Sequence, residues 1–189
     1  MRGWPIRGLY AAALLGAVLV AAGCGPDPSD TDLGSVVLPT PTGQPAEESG
    51  GACQLLDFDE IQAQIGVTFG VAASGNQGNT YTCVLQQTQA NLPDLSLALT
   101  PSTVDLTTFK KKVSPKGSSS VNELGKVAYS VAVPAGNGAG PGLEVGWLSG
   151  NQRLIVLRYQ SPNGTAAGDL NALLPKLITL AKQIDLTTA

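Results

Sequence analysis

A short apolar segment near the start of the chain restricts where a folded domain can begin. Residues 8–20 form a continuous apolar block of 13 residues, preceded by Arg2 and Arg7 and by no acidic residue. A helix needs about 20 apolar residues to span a bilayer, whereas a block of about 7–15 after a basic start is typical of a secretory signal peptide. We therefore predict a signal peptide over residues 1–23 and export of the rest of the chain.

Cys24 follows directly after the small residues Ala21, Ala22 and Gly23. This arrangement resembles the bacterial lipobox, in which the cysteine thiol receives a diacylglycerol and the cysteine becomes the new amino terminus. The alternative is ordinary signal cleavage that leaves Cys24 as a free thiol. The lipobox interpretation predicts lipid attachment at Cys24, and places the protein on the extracytoplasmic face of the cell membrane.

The segment after Cys24 has the composition of a linker. Residues 25–52 are rich in Gly, Pro, Ser, Thr and acidic side chains and have almost no apolar periodicity. Such a segment cannot bury enough apolar surface to offset the entropy lost on ordering. We predict that residues 24–52 form a disordered tether with an end-to-end distance of about 30 Å. Residues 53–189 then form one extracytoplasmic domain.

The charge of the exported chain argues against nucleic acid as a partner. Without Arg2 and Arg7, 9 Lys and Arg stand against 14 Asp and Glu, a net charge of −5. Binding to phosphates requires a patch of several basic residues. The one basic run, residues 110–112, is interpreted as a solvated helix end, the alternative being a contact with lipid headgroups.

The chain has three cysteines, and disulfide bonds use cysteines in pairs. If Cys24 carries lipid, the odd number is explained. Cys53 and Cys83 then remain as an even pair in an oxidising compartment. We predict a disulfide bond between them.

Local patterns predict three helices. Asp57 is placed to cap a helix in which Phe58, Ile61 and Ile65 share one face. Ser102 is the expected N-cap of a second helix that ends by Pro115. The last helix has an apolar face, and Pro175 within it predicts a kink or a break. The apolar face comprises Leu170, Leu173, Leu174, Leu177, Ile178 and Ala181.

Alternating or continuous apolar runs predict strands at residues 80–87, 95–100, 126–133, 143–148 and 153–160. Residues 67–79 and 114–120 are predicted as turns and loop, and Asn91–Asp94 as a hairpin. The resulting fold class is α+β, with an antiparallel sheet of about five strands and three helices packed on one face. The glycine-rich loop Pro134–Gly142 is expected to be mobile.

A family resemblance rests on three short motifs. The motif GACQLLDFDEI at residues 51–61 is followed about 25 residues later by YTC, then by LGKVAY at Leu124–Tyr129, two strands and a closing amphipathic helix. This order resembles the actinobacterial lipoproteins that contain the domain of unknown function DUF3558. The resemblance also implies distant kinship with the extracytoplasmic sensor domains of mycobacterial receptor kinases, in which a disulfide braces a sheet with a cleft. It implies no catalytic residues.

The residue types restrict the chemistry that the chain can perform. It contains no histidine, which excludes Ser-His-Asp and Cys-His activation and zinc sites built on imidazole. The acidic cluster of Asp57, Asp59 and Glu60 could suggest a cation site, but acidic residues are favoured in any first helical turn. A Ser/Lys dyad could draw on Ser114, Lys116 and residues 118–120. A hydrolase with two carboxylates could draw on Asp57, Glu60, Asp94, Asp105, Glu123, Glu144 and Asp169.

We therefore predict a protein without catalytic activity, metal or cofactor. The favoured function is a binding or accessory module of the cell envelope that contacts an unknown protein, glycan or lipid. The alternative is a carrier that encloses a lipid or another hydrophobic ligand, and a hydrolase is a more distant alternative. The expected contact surface is the sheet face not covered by helices, beside the loop Pro134–Gly142.

Overall fold

The computed structural model describes residues 45–188. The predicted signal peptide, the lipid-attachment residue Cys24 and most of the predicted linker lie outside the described residues. Seven strands form one sheet in the order β1-β2-β3-β7-β6-β5-β4, with every neighbouring pair antiparallel. The strands are β1 (Val71–Gln77), β2 (Thr80–Gln87), β3 (Ala90–Pro101), β4 (Ser119–Val121), β5 (Val127–Val133), β6 (Gly142–Leu148) and β7 (Arg153–Gln160).

Three helices accompany the sheet, which confirms the α+β class. They are α1 (Phe58–Ile65), α2 (Leu106–Thr108, continued by a π-helical turn over Phe109–Val113) and α3 (Ala167–Thr188). Two short 3-10 helices, Ala46–Ser49 and Gly51–Leu55, precede α1. The composition of residues 45–52 predicts linker, whereas in the structure Ala46 and Ala52 are buried in the main core.

The prediction of five strands is wrong because both edge strands lie in segments whose composition predicts turns or loop. β1 is largely exposed and has no apolar alternation, and β4 contains only three residues. Each is held by a backbone ladder to one neighbour, β2 for β1 and β5 for β4. An edge strand of this kind needs little apolar sequence, so its pattern does not distinguish it from a loop.

The turn between β2 and β3 lies at residues 88–89 and not at the predicted Asn91–Asp94. The β2–β3 register shifts between Gln86 and Gln87, so the extra residues of β3 form a bulge there. The β3–β7 ladder begins only at Asp94. Pro93 therefore lies beyond the β7 ladder, where a missing amide donor is tolerated.

One face of the sheet carries the main core under α1, α3 and the 3-10 helices. The Asp57 side chain caps α1 as predicted, accepting a hydrogen bond of 2.8 Å from the Glu60 amide. α3 continues through Pro175, which is exposed, so the predicted break is absent. The core includes Cys83, Leu85, Leu95, Leu97, Val145, Trp147, Ile155, Leu157, Leu177 and Ala181.

α2 packs on the opposite face, so the prediction that all helices share one face is wrong. Its N-cap is Asp105, whose carboxylate accepts from the Thr108 amide at 2.8 Å. The predicted cap, Ser102, instead accepts from the Val104 amide in the turn before the helix. Phe109 anchors α2 in a second, smaller core with Tyr129 and Leu148. The basic run, residues 110–112, is exposed in the last turn of α2, as predicted.

A hydrogen-bonded clamp joins the C-terminal part of α3 to the sheet. The Asp185 carboxylate accepts two hydrogen bonds. One, of 2.8 Å, comes from the indole Nε1 of the fully buried Trp147, and the other, of 3.1 Å, comes from the amide of Gly125. Gly125 has a φ of 54°, and a Cβ there would collide with the carbonyl oxygen of Leu148. This arrangement gives the LGKVAY motif a structural role in the turn between β4 and β5.

The predicted disulfide between Cys53 and Cys83 is present. The two Cα atoms are 4.9 Å apart and both residues are fully buried. The bond joins the second 3-10 helix to the middle of β2. It therefore fixes the first segment of the described domain to the sheet.

Candidate functional site

Part of the second sheet face is left open because α2 covers only the end near β5. The cross-strand pairs place Val84, Ser96 and Arg158 in one row on this face, with Asp94 and Gln160 in the next. The loop Pro134–Gly142 overhangs these rows. Together they form a groove of about 370 Å³, which we call the loop groove. It is lined by Val84, Asp94, Ser96, Gly136, Asn137, Ala139, Arg158 and Gln160.

The loop Pro134–Gly142 is organised by backbone hydrogen bonds. Gly136 and Ala139 exchange two bonds of 3.2 and 3.0 Å around a turn at Asn137 and Gly138. Both turn residues have positive φ, 53° and 81°, a conformation that asparagine and glycine adopt readily. The Gly140 amide donates a hydrogen bond of 2.9 Å to the carbonyl of Ser161, the residue that follows β7. The loop is thereby tied to the strand that forms the floor of the groove.

Arg158 is the cation of the loop groove, and Gln160 orients it. The amide nitrogen of Gln160 donates to the Gly140 carbonyl, and its oxygen accepts 3.0 Å from Nη2 of Arg158. Gln160 is 8 % exposed, while Arg158 is exposed. Among residues 45–188, no carboxylate oxygen lies within 4.0 Å of the Arg158 guanidinium. The loop therefore holds an arginine that has no ion-pair partner in the described structure.

Asp94 supplies a carboxyl group to the same groove. It is directly opposite Gln160 and diagonal to Arg158 across the β3–β7 pair, a relation that places the two residues roughly 7–8 Å apart, with their Cβ atoms somewhat closer. Partial burial raises the pKa of Asp94, and the positive charge of Arg158 acts in the opposite direction. Burial and the nearby Asp94 also raise the pKa of Tyr159, which lies on the core face.

Glu144 lies on the other side of Arg158. It is the direct partner of Arg158 across the β6–β7 pair, and it accepts a hydrogen bond of 2.8 Å from the Tyr129 hydroxyl. Burial, and then this hydrogen bond and the charge of Glu144, raise the pKa of Tyr129 well above its ordinary value. Two carboxylates therefore flank one guanidinium on the open face.

Replacement of Asp94 by asparagine is expected to affect stability in a pH-dependent way. Because its folded pKa is raised above 3.8, the protonated form contributes stability that is complete below that pH and is lost as pH rises through the folded pKa. Asp94→Asn cannot ionise and avoids this loss. Urea denaturation at pH 3 and pH 7 should show a variant that gains stability over the wild type at pH 7 relative to pH 3. An equal difference at both pH values would contradict a raised pKa.

The other carboxylates considered for catalysis are dispersed. Asp57 and Asp105 cap helices, Glu123 forms an ion pair of 3.1 Å with Lys182, and Asp169 is in the first turn of α3. Glu60 lies in the first turn of α1. Only Asp94 and Glu144 of the set share the open face, on β3 and β6, with β7 and Arg158 between them.

The remaining candidate sites are not assembled within the described residues. In the segment of Ser114, Lys116 and residues 118–120, the Ser118 amide donates to the Pro115 carbonyl, and no side-chain hydrogen bond between Lys116 and a serine is found among residues 45–188. In the same residues no three Asp, Glu, Cys or His side chains are grouped so as to hold a metal ion, and this includes Asp57, Asp59 and Glu60.

A second groove lies at the other end of the sheet, beside the second 3-10 helix. It has a volume of about 350 Å³ and a mainly apolar lining, and we call it the apolar groove. Tyr81 is 48 % exposed within it, and Arg153 lies at its margin. Its lining comprises Gly51, Ala52, Gln54, Leu55, Tyr81, Leu99, Pro101 and Arg153.

Comparisons with known protein families, with curated proteins and with solved structures found no match. In the described part of the chain, no helix combines the length and the apolarity needed to cross a membrane.

The sequence predicts the open sheet face and the loop as a contact surface, but it offers Asp94 only as one of seven candidate carboxylates and does not single out Arg158 or Gln160. Arg158 and Gln160 belong to an apolar run, residues 153–160, that indicates only a central strand. The signal in the sequence is that two polar residues stand at positions i and i+2 near the end of this strand. Residues two apart in a strand lie on the same face of the sheet, so the pair indicates a polar patch there.

Proposed function

We propose that this protein is an exported lipoprotein, anchored through Cys24, whose domain binds a polar ligand in the loop groove without converting it. The observation that carries the proposal is the chain of contacts from Gly140 through Gln160 to Arg158. A long, flexible arginine side chain loses entropy when it is held, and here a buried glutamine restricts it. Such preorganisation is typical of a binding site and has no evident role in the core.

The proposal of binding without turnover rests on the kind of groups that meet in the groove. Asp94, Ser96 and Arg158 line it, and the chain contains no histidine to act as a base near neutral pH. Both domain cysteines are joined in a disulfide bond, so neither offers a thiolate. The groove thus provides charge and hydrogen bonds, which suit recognition.

The groove can be tested by thermal denaturation of the mature protein, purified in detergent from its own membrane. Fractions of envelope glycans, lipids and small polar compounds would be added separately. At least one fraction should raise the melting temperature of the wild type and have no effect on Arg158→Gln. Arg153→Gln is the matched control, because it makes the same change on the same strand but at the apolar groove. An equal response of Arg158→Gln and the wild type to every fraction would refute the site.

If Cys24 carries the lipid anchor, the substitution Cys24→Ser should change where the protein is found in the cell. Without its thiol the chain cannot receive a diacylglycerol, whose acyl chains contribute about 0.8 kcal/mol of membrane affinity per buried methylene. We expect the variant to remain unprocessed or to be released into the medium. Fractionation and intact-mass measurement test this, and Cys24→Ala should behave identically. Retention of a processed Cys24→Ser protein in the membrane would contradict lipid attachment.

The carrier is a second candidate because of the apolar groove. Leu55, Tyr81 and Leu99 give it an apolar lining, and its volume is near the lower limit for small-molecule sites. A carrier would co-purify with a stoichiometric lipid that is lost on Leu99→Glu, and in the thermal test Arg153→Gln would be the affected variant. The proposed kinship with DUF3558 lipoproteins is compatible with both candidates.

A further inference from the structure

The loop groove presents opposite charges that are close but not joined. Asp94 and Arg158 are diagonal neighbours on β3 and β7, and both line the loop groove. They nevertheless form no ion pair in the described structure, since the Nη2 group of Arg158 is directed to Gln160. Each charge keeps hydrogen-bonding capacity for a ligand.

Ligands with a single charge fit this pair poorly. An anion bound to Arg158 meets the carboxylate of Asp94 beside it and that of Glu144 on the next strand. A cation bound to Asp94 meets the guanidinium of Arg158. A ligand that carries both charges, aligned in the opposite sense to the protein pair, gains attraction at each end, and each of its charges offsets the repulsion that the other meets at the Asp94–Arg158 pair. The repulsion from Glu144 remains, but that carboxylate already accepts a hydrogen bond from the Tyr129 hydroxyl.

The rest of the lining limits the size of such a ligand. The groove of about 370 Å³ is near the lower limit of small-molecule sites. Val84 and Ala139 provide small apolar surfaces, and Ser96 provides a hydroxyl. This combination suits a compact molecule with one short aliphatic group.

We propose that the loop groove binds a small zwitterion of the amino-acid class, with its carboxylate on Arg158 and its ammonium group on Asp94. Arg158 offers the fork of N–H donors that matches a carboxylate. Asp94 accepts from the ammonium group, and the aliphatic side chain lies against Val84 and Ala139. This inference rests on the proposed function of the groove and names its ligand class.

Titration calorimetry of the mature protein in detergent tests the inference with L-valine as the probe. N-acetyl-L-valine lacks the positive charge and L-valinamide lacks the negative charge, so each should bind at least tenfold more weakly than L-valine. Arg158→Gln and Asp94→Asn should each weaken L-valine binding at least tenfold. Arg153→Gln should leave it unchanged, and thermal melts of all variants check that they are folded.

Equal binding of L-valine and its two derivatives, or no binding of L-valine, would overturn the proposal that the ligand is a zwitterion. If L-valine fails but an envelope fraction stabilises the wild type and not Arg158→Gln, the ligand class is wrong and the groove remains a binding site. If neither L-valine nor any fraction depends on Arg158, the proposed function falls as well.

Discussion

Replacement of both Cys53 and Cys83 by alanine is expected to lower the free energy of unfolding by about 3.5 kcal/mol. The disulfide spans a sequence separation of 30 residues, and in the loop-entropy account a loop of that length restricts the unfolded chain by this amount. A domain of this size has a total stability of about 5–15 kcal/mol. The loss would therefore leave a substantial fraction of molecules unfolded under mild denaturing conditions.

Urea denaturation of the mature protein measures this effect. Gln54→Ala is the control, because it changes an exposed residue next to Cys53 on the same 3-10 helix and should leave the midpoint unchanged. Both bridged cysteines are fully buried, so thiol reagents should modify them only after reduction in denaturant. A double variant as stable as the wild type would show that the bond does not brace the fold.

Phe109→Ala is expected to cost about 3–5 kcal/mol, the range for removal of a large buried aromatic side chain. Phe109 is fully buried and its ring centroid is 5.9 Å from that of Tyr129. It is the residue through which α2 is held on the second sheet face, so α2 should detach. Leu106→Ala, on the same helix at 48 % exposure, is the matched control and should change stability little.

Titration of tyrosine absorbance gives a second readout for Phe109→Ala. Because burial is the main cause of the raised pKa of Tyr129, exposure of the ring should lower that pKa toward 10. The raised pKa also means that Tyr129 stabilises the fold up to about pH 10, and that this stability is lost as pH rises further. An unchanged tyrosine titration in a destabilised variant would contradict the packing of α2 over Tyr129.

The parts of the fold that could be predicted have strong local signals. Asp57 with Phe58, Ile61 and Ile65 combines a cap with a helical period, and α1 is found there. Leu95, Leu97 and Leu99 alternate along β3 and all are buried. The disulfide bond could be predicted because only Cys53 and Cys83 remain when Cys24 is assigned to lipid.

The parts that could not be predicted depend on tertiary contacts. β1 and β4 are edge strands held by their neighbours' backbones, so their own side chains carry little signal. The side of the sheet on which α2 packs is decided by Phe109 and its partners on β5 and β6. No local pattern contains that information.

The candidate site illustrates the same limit. Asp94 and Arg158 are distant in sequence and become neighbours only through the β3–β7 register. The loop Pro134–Gly142 was predicted beside the open face, but its link to Arg158 runs through Gln160. The general location could therefore be predicted from composition and periodicity, whereas the charged pair required the strand order.

Hydrogen–deuterium exchange of the mature protein, with and without envelope fractions, tests the central claim that the loop groove is the binding site. We expect a binding fraction to slow exchange in the loop Pro134–Gly142 and at the adjoining end of β7, and we expect Arg158→Gln to abolish this protection. Protection confined to the apolar groove around Tyr81 and Leu99, or protection of the loop that persists in Arg158→Gln, would contradict it.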